Sequence, residues 1–306
     1  MAENHLSPPF PISQDGRWGY INRKGKIVIN PQFDDAWRFS EGLAPARVGA
    51  KWGYVDRKGR IVINPQFDVA WDFCEGLAPT KSSGKWGYID RRGKTVISSQ
   101  FDDAWRFSEG LARVKSGGRW GYIDRKGRLV IEYQFDGAWG FSEGLGPVKS
   151  GERWGYIDRR GRIIINPQFD FAWAFSEGLA LIKVGGKYGY VDRRGNTAIE
   201  AQFDDAWRFS EGLSPVRITE LWGYIDKRGN IVINPRFDGA WDFSEGLARI
   251  ESGGRWGYID KKGRIVIEPK FYDAWDFGAG LARIKSSGGK WGYINRKGDY
   301  VWNPTR

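Results

Sequence analysis

The sequence predicts an all-β fold, a β-propeller assembled from copies of one 34-residue, four-stranded antiparallel unit. Three observations carry that expectation: a strict internal period, short apolar segments alternating with turn-forming residues, and the lack of any amphipathic helix of useful length. The period comes first, because it overrides any domain count made from the 306-residue length. The tripeptide WGY begins at Trp18, Trp52, Trp86, Trp120 and Trp154, becomes YGY at Tyr188, and resumes at Trp222, Trp256 and Trp291. Each step is 34 residues except the last, which is 35. The extra residue falls in the Gly/Ser-rich stretch Ser286 to Gly289, where a loop should absorb it. A second series, Ala-Trp, places Trp37, Trp71, Trp105, Trp139, Trp173, Trp207, Trp241 and Trp275 at the same interval. With Trp302 these account for all 17 tryptophans.

One unit, read from Leu111, runs LARVK, SGGR, WGYID, RKGR, LVIE, YQFDG, AWGFSEG. Asp124-Arg125-Lys126-Gly127 fits a type I turn, with Asp able to bond back to the backbone and Gly at the fourth position. In the Trp120-Gly121-Tyr122 segment the two rings share one face, and Gly121 lets a neighbouring backbone or ring approach. Four strands of about five residues leave three or four for each connection, which suits a meander with hairpin loops. Such a meander cannot bury both faces alone, so the copies must pack on one another.

Residues 1–8 read as an N-terminal tail and residues 9–306 as a single repeat domain. Pro9 to Ser13 stand at the same offset from Trp18 as Leu43 to Arg47 do from Trp52, so the chain is expected to begin at an innermost-type strand. After Tyr300 to Trp302 no further Ala-Trp segment follows. The reading is nine blades with an incomplete last blade; eight blades with one unit over, or an open β-solenoid, are the alternatives.

Each WGY hairpin carries a basic pair at its tip: Arg23 and Lys24, Arg57 and Lys58, Arg91 and Arg92, Arg125 and Lys126, Arg159 and Arg160, Arg193 and Arg194, Lys227 and Arg228, Lys261 and Lys262, Arg296 and Lys297. These residues set the sign of the whole chain, +11 from 48 basic and 37 acidic side chains; without them 30 basic groups would face the same 37 acids. Repetition should align them as a candidate anion-binding rim, attractive to nucleic acid, anionic membrane surfaces or acidic proteins and weakened by salt. The competing reading is that charged turn tips serve solubility and were copied with the founding unit.

An acidic series, Glu41, Glu75, Glu109, Glu143, Glu177, Glu211 and Glu245, occupies the SEGL turn, with Ala279 at the eighth position. These carboxylates are expected on the same face as the basic hairpins, pairing between neighbouring blades as latches. Copies in identical surroundings have identical pKa values and so make poor acid–base pairs. The Asp after Phe, as in Phe33-Asp34 and Phe67-Asp68, reads as a turn-ordering residue. Exposed rings could stack on bases or sugars, but blade-to-blade packing demands one ring at every equivalent position, so the tryptophans are assigned to structural core: Trp18, Trp37, Trp52, Trp71, Trp86, Trp105, Trp120 and Trp139. One cysteine, Cys74, which replaces a Ser, and one histidine, His5, in the tail, are too few for a disulfide framework or a Cys/His zinc site. The reading is no catalytic, metal or cofactor site.

Together WGYIDRKG, INPQFD and FSEGLA strongly resemble the bacterial WG-repeat family, also called KWG repeats, over residues 9 to 304. The resemblance implies a β-propeller-like repeat protein of bacterial origin, acting as an interaction module with diverse partners and no catalytic residue to carry over. Tyr188 for Trp, Leu221 for a basic residue and Gly278-Ala279 for Ser-Glu depart from the pattern.

The expected function is a non-catalytic binding or scaffolding module presenting the basic rim to an anionic partner, with protein recognition through a central opening or blade edges as the alternative. No window approaches the eighteen or so apolar residues of a membrane span, and the first residues lack a signal-peptide pattern, so a cytoplasmic location is expected. Near-identical units also make homo-oligomers through swapped or unpaired edges an expectation.

Overall fold

Turn chemistry sets the local structure. At Asp56-Arg57-Lys58-Gly59 the Gly59 N–H donates to the Asp56 carbonyl at 2.9 Å, while the Asp56 carboxylate accepts the N–H groups of Lys58 and Arg60 at 2.9 and 3.0 Å. Gly59 sits at φ +78°, a left-handed conformation that a Cβ would strain. The same bonds recur at Asp124 and Asp158.

The computed structural model describes residues 8–303. It is a nine-bladed, all-β propeller with no helix among the described residues. β1 (Phe10–Gln14), β2 (Arg17–Ile21) and β3 (Ile27–Phe33) form the first sheet; β4 (Asp35–Ala36), β5 (Leu43–Val48), β6 (Lys51–Asp56) and β7 (Ile61–Phe67) form the second, antiparallel and in sequence order. The remaining seven sheets repeat this four-stranded pattern.

Two sequence expectations are corrected. The Ala-Trp segment does not end the sheet of its own unit. After Phe33 the chain crosses to the next sheet, where the Asp34 N–H donates to the Arg47 carbonyl and β4 pairs with β5 through Asp35↔Arg47 and Ala36↔Ala46. Consequently the sheet short of a strand among the described residues is the first, not the last: Asp273–Ala274, Leu281–Lys285, Trp291–Asn295 and Tyr300–Trp302 make a complete final sheet. The β1-type strand is innermost only in that first sheet.

The third strand is longer than expected, because IVIN and PQF form one continuous seven-residue strand interrupted by a register shift. That irregularity explains the glycine of WGY. A Cβ on Gly121 would lie 2.6 Å from the Ile131 carbonyl oxygen, so only glycine admits the irregular neighbour.

Two compact units divide the chain, Met1–Gly151 with Ile157–Arg162 and Glu152–Tyr156 with Ile163–Arg306. In the first, Tyr20, Ile29 and Phe33 of one sheet bury against Ala36, Phe39, Ala44, Ala46 and Val55 of the next. In the second, Tyr258, Ile267 and Phe271 do the same with Ala274, Phe277, Ala282, Ile284 and Ile294. Burying the WGY tyrosine requires a partner for its hydroxyl. Tyr88 supplies one by donating to the Trp105 carbonyl at 2.8 Å, and Tyr258 to that of Trp275 at 2.8 Å.

Candidate anion-binding rim

All eighteen predicted rim residues are exposed at hairpin tips, yet the two members of a pair occupy different environments. In six of the pairs, those of Arg91, Arg125, Arg159, Lys227, Lys261 and Arg296, the first leans back over a SEG turn. Lys227 Nζ lies 3.1 Å from the Glu177 carboxylate and Lys261 Nζ 3.0 Å from that of Glu211; Arg296 donates to the Glu245 carbonyl. The Arg159 guanidinium rests beside Gly110 in the same way. The second member is not held this way: among the described residues, Lys24, Lys58, Arg92, Lys126, Arg160, Arg194, Arg228, Lys262 and Lys297 make no side-chain ion pair. The predicted double row is therefore, in these pairs, a latched base beside one that makes no ion pair.

The latch explains why glutamate occupies an unfavourable backbone position. Every SEG glutamate, and Ala279 after them, has φ between 49° and 56°, followed by glycine also at positive φ. This is the two-residue hairpin geometry that favours Asn-Gly or Gly-Gly, and a non-glycine residue there carries a conformational cost. The carboxylate compensates. Glu41 accepts the Gly76 N–H at 3.0 Å, Glu75 that of Gly110 at 3.0 Å, and Glu211 that of Gly246 at 3.1 Å, each reaching into the following unit. Burial alone would push the Glu211 carboxyl up, but the Lys261 ammonium and the Gly246 N–H outweigh it and hold the group below the usual glutamate value. Glu177 behaves likewise with Lys227 and Gly212. The expected acid–base pairing between blades is thus present at these positions.

The turn serines add a second tie, since Ser40 donates to the Phe73 carbonyl at 2.7 Å and Ser108 to that of Phe141 at 2.6 Å. Asp68 orders its turn as expected, accepting the Ser83 N–H at 2.9 Å and pairing with Lys51 at 2.5 Å. Between neighbouring tips in the first unit, Gly110, Leu111, Asp124, Val130, Arg159 and Arg160 line a depression of roughly 390 Å³. Among the described residues no cluster of His, Cys, Asp or Glu is arranged to hold a metal ion, and no helix is long and apolar enough to cross a membrane. His5 lies outside the described residues.

The tryptophan assignment divides. Trp52 and Trp86 are buried, and Trp18, Trp37, Trp71 and Trp120 half-buried. Trp105 and Trp139 are not core: they are 38% and 37% exposed. Their two-residue strands lie at the sheet edge, so no further strand covers the ring. Sequence reasoning also missed Arg113. It is almost fully buried, with its guanidinium 4.3 Å from the Trp105 ring centre and 4.7 Å from that of Trp139, and donates to the Ala138 carbonyl. The only signal was a basic residue at a position held elsewhere by Pro, Leu or Arg.

A family model described as a WG containing repeat matches eight consecutive stretches, residues 18–52, 52–86, 86–120, 120–154, 154–188, 188–222, 222–256 and 256–291. Among solved structures, the dihydro-heme d1 dehydrogenase NirN in complex with DHE is similar, with a TM-score of 0.52 and 10% identity over 82% of this chain and 70% of that one. BamB from Moraxella catarrhalis is similar with a TM-score of 0.49 and 13% identity over 84% and 95% of the respective chains. At such identities the likeness concerns fold alone. No curated protein matches the chain.

Proposed function

The chain belongs to the WG-repeat family, and from that premise we propose that it is a non-catalytic binding module whose unneutralised row of hairpin bases engages an anionic polymer. The observation that carries the reading is the sorting of charge within the pairs whose first base meets a SEG turn. Were the tips basic for solubility alone, nothing would require one member to be tied to that turn while the other makes no ion pair. Tying the first member positions the hairpin; the second presents a cation at each repeat. Each contact is weak, and affinity comes from several engaged at once on one molecule.

The test compares binding to duplex DNA, anionic liposomes and an anionic polysaccharide at about 50 and 200 mM salt, a range over which phosphate binding falls steeply. Replacing Lys58, Arg92 and Lys126 together by Glu should weaken binding and flatten its salt dependence, by about 0.9 in log–log slope for each duplex phosphate no longer neutralised. The melting temperature should not change. Unaltered affinity removes the rim from the account. One observation favours a second reading: the third strands expose apolar pairs such as Ile61 and Val62, Ile163 and Ile164, and Ile231 and Val232. A protein partner gripping these blade edges would bind with little dependence on salt.

A further inference from the structure

The Ala-Trp series has no part in the rim, and its place at the sheet edge leaves several of its rings uncovered. In the first unit Trp37, Trp71 and Trp105 follow one another with ring centres 5.0 and 5.7 Å apart, the latter two planes within 30°. Trp139 continues the series across the Arg113 guanidinium, which lies between it and Trp105. The second unit repeats the device: Trp207 and Trp241 stack at 6.4 Å and 25°, Arg249 lies over Trp241 at 4.6 Å, and Trp275 is 46% exposed. Indoles this large are ordinarily drawn into a core. Here Trp105, Trp139, Trp207 and Trp275 are left more than a third exposed.

Beside each row stands an acid with an unused oxygen. Asp72 pairs with Arg106 at 3.4 Å and Asp242 with Arg208 at 2.9 Å, each through Oδ2. In both residues Oδ1 is buried and has no hydrogen-bond partner. Burial pushes both carboxyls up, against the opposing pull of the neighbouring guanidinium groups. A buried acceptor left unsatisfied is costly. Asp72 and Asp242 are five repeats apart, so among the described residues an unsatisfied carboxylate stands next to an indole of the series once in each unit.

We propose that these two rows bind a neutral carbohydrate chain. A pyranose ring has an apolar face that stacks on indole and hydroxyl groups that donate to a carboxylate, and successive rings along a glycan are spaced like the successive indoles. Charge selects this ligand over a nucleic acid. The Arg106–Asp72 and Arg208–Asp242 pairs cancel within the rows, and Arg249 pairs with Asp276 at 2.9 Å; the remaining cation, Arg113, is almost fully buried between indoles and closed to phosphate, and a carboxylate seeking donors repels phosphate. The row is therefore distinct from the rim in chemistry, and does not depend on the rim's reading.

The test titrates the full chain with neutral hexasaccharides of glucose, xylose and N-acetylglucosamine, following tryptophan fluorescence and heat, at about 500 mM salt where phosphate binding is suppressed. Saturable binding of one of these, unchanged between low and high salt, is expected. Trp105→Ala with Trp139→Ala should weaken it at least about tenfold, as loss of aromatic stacking does elsewhere, and Trp105→Phe should restore part of the loss. Asp72→Ala, which removes the acceptor and leaves the indoles, should also weaken binding at an unchanged melting temperature. The Lys58, Arg92 and Lys126 replacements should have no effect, which separates this outcome from that of the rim. Absence of binding by all three sugars up to about 10 mM, well beyond a millimolar Kd, overturns the proposal; so does a fluorescence response to single-stranded oligonucleotide and to no sugar.

Discussion

Glu211 tests whether the SEG glutamates act as latches. Its backbone is left-handed at φ 53°, its carboxylate accepts the Gly246 N–H, and Lys261 lies 3.0 Å away. Replacing it by Ala removes both bonds and keeps the backbone strain. A hydrogen bond to a charged group contributes about 1.5–3 kcal/mol; with the Glu and Lys side chains 30% and 45% exposed, solvent screening reduces the expected loss to about 1–2 kcal/mol. For a chain of this size that is a fall in melting temperature of about 2–8 °C. Glu211→Gly removes the same bonds but relieves a left-handed cost of about 1–2 kcal/mol, so it should be the more stable of the two by about 1 kcal/mol. Urea unfolding followed by fluorescence orders the three proteins. The carboxyl is held below its ordinary value when folded, so its contribution is present above the unfolded value of about 4.3 and disappears as pH falls through the lower folded value. The gap between parent and Ala variant should close in acid. An Ala variant as stable as the parent, or a Gly variant less stable than the Ala one, refutes the latch.

Other consequences are equally direct. Cys74 replaces the serine that elsewhere ties one unit to the next phenylalanine carbonyl, as Ser108 does to Phe141; Cys74→Ser should raise stability by about 0.5–1.5 kcal/mol in urea. Gly121→Ala would ordinarily help a strand slightly, but a Cβ 2.6 Å from the Ile131 oxygen reverses the sign, and a loss of about 1–3 kcal/mol is expected by thermal melting. Burial raises the phenol pKa of Tyr54, Tyr88, Tyr122, Tyr156, Tyr190, Tyr224 and Tyr258. Their neutral form is therefore favoured by folding; stability should hold below pH of about 10 and then fall by up to about 1.4 kcal/mol per pH unit for each tyrosine. Circular dichroism across alkaline pH should find a steep transition.

How much of this was legible in sequence follows from which residues act locally. The Asp124 to Gly127 turn, the need for Gly121 and the turn-ordering role of Asp68 depend on neighbours a few positions away or across one hairpin, and were readable. Blade number followed from the period. Assigning the Ala-Trp strand to a sheet was not readable, because its partner is fixed by the crossover after Phe33, and two residues carry too little pattern to reveal it. The same omission hid the exposure of Trp105 and Trp139: an edge position, not the residue type, decides whether the ring is covered. The division within the basic pairs was hidden as well, since Lys261 and Lys262 are identical until Glu211, fifty residues earlier, distinguishes them.

Because β4 belongs to the sheet of β5 to β7 while the covalent repeat runs on from β3, sequence repeat and blade are out of phase. Each copy donates its final piece to its successor. Removing or duplicating any 34-residue window within the strictly periodic part, Trp18 to Trp256, wherever the window starts, therefore rejoins equivalent partners and orphans no interior strand. Blade number is then a quantity that recombination between near-identical copies can alter without designing a new junction, and a protein of this kind can change the length of its row of hairpin tips while conserving the local packing of every blade.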